Sequence, residues 1–456
     1  MKTYSFRFIA SLLLASLPAL SFAESPAEAL RALVRSRVEA EYASLEELYK
    51  DLHSHPELSF QEEQTSRKVA AGLRAAGFAV TENVGGHGVV GVFRNGAGPT
   101  VLVRTDMDAL PVKEQTGLPF ASAARAKDDK GTEVDVMHAC GHDMHMTCLV
   151  GTARMLVALK DRWQGTLLFI GQPAEERVAG AKAMLADGLL ARFPKPDVCV
   201  AMHVSAEMRA GWLGCTEGFA LASSDSVDIL VRGVGGHGAA PHATKDPVVL
   251  AAEIVLALQT IVSRETKPTE PSVITVGSIH GGSKHNIIPD EVRLQLTLRS
   301  YADAVREHQI AAIRRITHGL ALAAGLPEEL MPVVTVGNNN APSTYNDPAL
   351  TRRLVAAFGT WFDKDKIAPC AQSMGAEDFG LFGRAAGVPS CMFWLGAVEP
   401  ARWEESHRVG QPLPSLHSSR FHPQREPTLK TGVTAMTAAV LELAGKRWGG
   451  EVKSEE

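Results

Sequence analysis

Three apolar, strand-like runs each end in charged or metal-coordinating side chains, and this pattern restricts the fold more than any other feature of the chain. Thr100 to Arg104 leads into Thr105-Asp106-Met107-Asp108, Thr166 to Ile170 leads into Gln172 and Glu175-Glu176, and Val198 to Met202 leads into His203. In an open α/β sheet, ligands bind outside the carboxyl ends of the strands, so these distant residues are expected to converge on one site. Further strands over 89–93 and 389–395, with helical periodicity over 26–52, 61–76, 147–159 and 428–444, predict an α/β fold with a mostly parallel sheet covered by helices.

Between about Ser224 and Asn338 the pattern changes. Strands over 227–232, 273–279, 292–298 and 332–336 combine with helices over 247–262 and 302–324 in a β-α-β-β-α-β order, which predicts an inserted ferredoxin-like α+β domain. The expected organisation is a catalytic domain built from 24–223 and 339–456, interrupted by a lid over 224–338. The chain is long enough for more than one core at 456 residues, and two crossings between domains make a hinged cleft the place for a ligand.

The first residues read as a targeting segment. Lys2 and Arg7 precede the apolar run Phe8 to Leu20, and Ser21-Phe22-Ala23 has the small-x-small pattern of a signal-peptidase site. The run is shorter than the roughly 20 residues of a spanning helix, which predicts a cleaved signal peptide over 1–23, a periplasmic or secreted mature chain, and no stable membrane insertion. Export would allow disulfides among the six cysteines, but their wide spacing is not that of a disulfide framework. Cys199 and Cys391, within apolar runs, are expected to be buried free thiols. A net charge of -5 and the lack of any Lys/Arg-rich stripe argue against nucleic acid and for a small solute.

The densest cluster of ligand atoms is Met137 to His145, which packs three imidazoles, a thiol and a carboxylate into nine residues. A turn at Gly141 can aim Cys140 and His142 at one or two metals, and thiolate with imidazole favours zinc or a similar late transition metal. His138 and His145 suit supporting or packing roles, and Asp143 a helix cap or an acceptor behind a ligand. Glu175 and Glu176 repel each other unless a cation lies close; one can then hold metal while the other moves protons. A binding protein without catalysis would have no use for that second carboxylate. Glu377-Asp378 is expected to support the cleft rather than to ligate, and His53 and His55 to be packing residues. The segment Ala121 to Glu133, rich in Ala, Lys and Asp, reads as a mobile loop at the substrate entrance.

The chain resembles the M20 metallopeptidases, within them the aminoacylase-like amidohydrolases that include hippurate and auxin-conjugate hydrolases. The resemblance rests on His55-Pro56-Glu57-Leu58-Ser59-Phe60, Asp106-Met107-Asp108-Ala109-Leu110-Pro111, the Cys140 motif, Gln172-Pro173-Ala174-Glu175-Glu176, Gly235-Gly236-His237 with Pro241-His242, Asn286-Ile287-Ile288-Pro289, Met374-Gly375-Ala376-Glu377-Asp378-Phe379 and Leu416-His417-Ser418. It implies a two-metal site on Cys140, His142, Glu176, His203 and His417, with the cysteine bridging, and Glu175 as general base. The ions are divalent, zinc first, with manganese, cobalt or nickel as alternatives. Asp108 resembles the family's carboxylate that steadies the metal centre; a bland turn cap is the alternative. By resemblance His237 reaches into a neighbouring subunit of a homodimer, which makes the lid a dimerisation domain, and stabilises the oxyanion. Asn286 matches a substrate-binding position, and Arg299 is a candidate partner for a substrate carboxylate or a solvated strand charge. The implied reaction is hydrolysis of the amide bond of an N-acyl amino acid, with carboxypeptidase or dipeptidase action as the alternative.

Overall fold

The structure is a computed structural model and describes residues 25–445. The signal segment expected over 1–23 lies outside the described residues.

The expected mostly parallel sheet is present as eight strands. Its centre runs Gly165–Gln172, Thr100–Asp106, Val198–Arg209, Ser390–Val398, each parallel to the next. Val89–Asn95 and Ala79–Thr81 extend one edge antiparallel, and Leu213–Cys215 with Ile367–Pro369 complete the other. Side chains alternate across a strand, so Val101 and Val103 enter one core while Leu102 enters the other. Helices Pro26–Ser54, His142–Ala158 and Arg425–Ala444 pack together over the first face. Arg425–Ala444, covered on more than one side, is buried at nearly every position from Thr428 to Leu441.

A second, four-stranded antiparallel sheet lies between residues 225 and 336, in the order Ser272–Gly281, Glu291–Ser300, Asp225–Arg232, Val333–Val336. Numbered along the chain this is 2-3-1-4, the arrangement of a ferredoxin-like sheet, with helices Pro247–Thr260 and Asp303–Ala323 on one face. Pro247–Glu265 is long and apolar enough to cross a membrane by length and composition. Here its Leu250, Ala251, Ile254 and Leu258 fill the second core, while Val248, Val249 and Leu256 stand exposed, Leu256 at 73%. Where the chain passes between the sheets, Ser223 N–H donates to the Ser300 carbonyl at 2.7 Å, and Lys182 donates to the Asn338 carbonyl and the Asn340 side chain.

Three expectations need correction. The segment 121–133 is a hairpin rather than a mobile loop: Arg125–Lys127 pairs with Glu133–Asp135, Ala124, Ala126 and Val134 pack on Leu58 and Ala109, and Asp129 at the tip pairs with Arg177. His55 is not packed but exposed, beside Asp51. The helix expected from 147 starts at His142, because Gly141 precedes it in the left-handed region at φ 79°, where a Cβ would lie 2.6 Å from Val204. All six cysteines are free, and five are buried, Cys199 and Cys391 among them.

His53 does more than pack. Its ring is buried between Asp143, 2.6 Å from Nδ1, and Glu114, 3.0 Å from Nε2. Glu114 also accepts from Ser122 N–H, so His53 ties the helix of His142 to the chain leading into the hairpin. Burial opposes its charge, but Asp143 and then Glu114 prevail and raise its pKa to about 9. A raised folded-state pKa gives stability that is complete below the unfolded value of about 6.5 and is lost as pH rises through about 9. Denaturant titrations of wild type and His53→Gln are therefore expected to differ by roughly 3 kcal/mol near pH 6 and to converge by about pH 10. A difference independent of pH would remove the charge from this account.

Candidate metal centre

The predicted strand ends do converge, and the register shows how. Thr100–Asp106 pairs with Gly165–Gln172 up to Asp106 against Gln172, but with Val198–Arg209 only as far as Arg104 against Ala201. Beyond that point the two strands part. His203 is therefore not at a strand end, as expected, but in mid-strand, where it continues to pair with Trp394 on its other side. Its Nδ1 is 2.8 Å from the Val204 carbonyl, which makes this nitrogen the donor and leaves Nε2 with its lone pair, 3.5 Å from Cys140 Sγ.

His142 is prepared in the same way. Its Nδ1 lies 2.8 Å from the Asp108 carbonyl, and its Nε2 is buried without a hydrogen-bond partner. Glu176 Oε1 is also buried and unpartnered, 3.8 Å from His142 Nε2. Cys140, His142 and Glu176 each present a ligand atom within 4.8 Å of the others. Burial, then the charges of Glu176 and Glu175, push the Cys140 thiol well up, so a thiolate here calls for a cation. A metal ion fits this donor set: it would satisfy both orphaned atoms and offset the buried negative charge.

His417 reaches the cluster from the loop between helices Pro400–Val409 and Arg425–Ala444. Its amide donates to the Ala139 carbonyl at 2.9 Å, its backbone is left-handed at φ 66°, and its Nε2 is 3.4 Å from Glu176 Oε2. Nothing in the local sequence signals this; only the tertiary bond to Ala139 brings the ring in.

Asp106, His145 and Arg104 form the layer beneath. His145 Nδ1 is 2.7 Å from Asp106, its Nε2 accepts from Val204 N–H at 2.8 Å, and the ring therefore holds the strand of His203. Arg104 is fully buried and donates to Asp106, Gln172, Glu377 and Asp378. Sequence reasoning missed Arg104, whose position inside an apolar strand-like run is the one available signal. Glu377 and Asp378 sit with Glu175 rather than with the thiol, their oxygens within 4.8 Å of one another. Burial, followed by Glu377, Glu176 and Asp378, pushes Glu175 well above the ordinary carboxylate range. Asp108 accepts the amides of Glu175 and Glu176 at 3.1 and 3.0 Å and the Ser59 hydroxyl at 2.6 Å. It is a carboxylate behind the centre, not within it.

Three predicted residues lie elsewhere. His237 and Asn286 are brought together on a two-stranded ribbon, Gly236–His237 against Ile287–Ile288, where Gly238 N–H donates to the Asn286 carbonyl. Both are exposed, and neither makes a hydrogen bond to the cluster within this chain. Arg299 is half-buried on the lid strand and donates to Thr297 and to the Leu298 carbonyl.

A donor cluster able to hold metal at the edge of a parallel sheet, with a further buried carboxylate facing it from outside the donor set, defines a metal-dependent hydrolase. The chain belongs to peptidase family M20/M25/M40, whose model matches residues 102–442. It is 35% identical over 407 residues to thermostable carboxypeptidase 1 of Saccharolobus solfataricus, covering 88% of this chain and 95% of that one. It is 33% identical over 359 residues to N-acetylcysteine deacetylase of Bacillus subtilis, covering 78% and 88%. Among solved structures it resembles a Bacillus subtilis protein described as a dinuclear metal-binding peptidase of family M20, with TM-score 0.70, 28% identity, and 89% and 99% of the chains covered.

Proposed function

We propose that this chain hydrolyses the amide bond of N-acylated amino acids, releasing a carboxylic acid and a free amino acid. The observation that carries this is the division of labour between adjacent glutamates: Glu176 has an orphaned oxygen in the donor cluster, whereas Glu175 faces Glu377 and Asp378. Two divalent ions, zinc first, would be held by Cys140, His142, Glu176, His203 and His417. Bound there, they would supply Lewis acidity, which lowers the pKa of water from about 15.7 towards about 7. Glu175 takes the proton of the attacking water and returns it to the departing amine. Asp108 fixes the backbone amides of both glutamates, and Arg104 holds Glu377 and Asp378 beside Glu175.

The lid set acts across a homodimer in this reading, with His237 of the partner subunit at the oxyanion and Asn286 and Arg299 holding substrate polar groups. The exposed Val248, Val249 and Leu256 on the lid helix supply an apolar face for the partner, and exposed His237 has no role within its own chain's centre. Mixing Glu175→Gln with His237→Ala protein tests this: a random heterodimer restores one intact site, giving about a quarter of wild-type activity, while a single-chain site stays inactive. The N-terminal pattern supports export, hence action on external acyl amino acids.

The likeness to a carboxypeptidase supports a second reading, peptide trimming on the same centre. A panel of N-acetyl amino acids, hippurate and dipeptides decides between them. Preference for acylated amino acids with a free carboxylate supports the first; turnover of peptides alone sinks it.

A further inference from the structure

Glu62 is fully buried, 0% exposed, yet nothing in its own helix requires a carboxylate there. It occupies the N-cap of Glu63–Ala75, where an acid would ordinarily accept amides of the first turn. That duty falls to Glu57, whose two oxygens accept from Gln64 and Thr65 N–H at 3.1 and 2.7 Å. Glu62 instead reaches across to the amide of Ala174, which donates to its Oε1 at 2.7 Å, and its Oε2 is buried with no hydrogen-bond partner.

Ala174 is the residue before Glu175 and holds a left-handed backbone at φ 48°, a conformation that a non-glycine residue keeps only when its surroundings enforce it. Val178, at φ 51°, closes the same turn. Three successive amides are thus held by two buried carboxyl groups: Ala174 by Glu62, Glu175 and Glu176 by Asp108. We propose that Glu62 is a positioning residue for the reaction, fixing through the Ala174 amide the turn that aims Glu175 at the reacting water and Glu176 at the donor cluster. The proposal rests on the reading of Glu175 as the base. Burial, and after it the charge of Asp108, raise the Glu62 carboxyl above the ordinary range.

The test compares Glu62→Gln, which keeps a carbonyl oxygen for Ala174, with Glu62→Met, which keeps the volume but no comparable acceptor. Displacing a base by about 1 Å costs roughly 100-fold, so Glu62→Met is expected to lose about 100-fold in kcat with KM within about threefold, while Glu62→Gln stays within about threefold of wild type. Activities are compared at saturating metal, so that a weakened Glu176 in Glu62→Met is not read as a misplaced base. Amide exchange of peptides spanning 172–178, followed by mass spectrometry on metal-loaded protein, should accelerate in Glu62→Met and not in Glu62→Gln. Glu62→Ala serves in the same comparison if the methionine variant does not fold. Wild-type kcat and exchange in an acceptor-less variant overturn the proposal, as does equal damage in Glu62→Gln. If wild type cleaves no acyl amino acid, the proposed reaction fails, and the exchange data still decide whether Glu62 holds the turn.

Discussion

Glu175→Gln is expected to retain its metal and its fold while kcat falls by about 10³-fold, within the range that a positioned proton-transfer group contributes. The substitution preserves shape and removes only the capacity to take a proton. Its backbone contact is untouched, because the Glu175 amide, not the carboxylate, donates to Asp108. Stability should stay level or rise: the carboxylate lies within 4.8 Å of Glu377 and Asp378, and neutralising it relieves that repulsion. Turnover of an N-acyl amino acid, metal content by elemental analysis and melting temperature together check this. Unchanged kcat would take the general-base role from Glu175, and lost metal would place it among the ligands.

That expectation was accessible from sequence because the chemistry sits where periodicity changes. Gln172-Pro173-Ala174-Glu175-Glu176 ends an apolar run, and charge placed after a buried strand of an α/β sheet has few other uses. Cys140 and His142 were legible for a related reason, their local spacing. What sequence does not carry is tertiary register. The length of Val198–Arg209 depends on pairing with Ser390–Val398, so His203 looked terminal and is not. Arg104 resembled a strand residue, while its partners Glu377 and Asp378 lie some 270 positions away, as its hydrogen bonds show. Glu62 carries no signal of its own in sequence, because only the structure shows Glu57 capping the helix while Glu62 reaches Ala174. His417 is the extreme case: a half-exposed residue in a Pro/Ser-rich loop, nominated by family resemblance alone. In each case long-range strand pairing or hydrogen bonding sets the position, and composition or periodicity records neither.

The ligand set converges on a second large effect. Chelation is expected to abolish hydrolysis, by about 10³-fold or more, because water at an ordinary pKa of about 15.7 is a poor nucleophile at neutral pH. It should also destabilise the fold. Cys140, His142 and Glu176 are buried, or nearly so, with unpartnered atoms on His142 and Glu176, an arrangement that costs free energy unless a cation completes it. Ligand binding to the native state alone stabilises by about 4 kcal/mol when free metal exceeds Kd by about 1,000-fold, enough to move the melting temperature by several degrees. The variants separate this from a general effect of chelator. His142→Ala removes a donor and should lose both bound metal and the metal-dependent rise in melting temperature. Glu175→Gln should keep both, despite its inactivity. If wild type melts at the same temperature with and without metal, and His142→Ala binds as much as wild type, the cluster is a hydrogen-bonded polar core and the metal centre must be sought elsewhere.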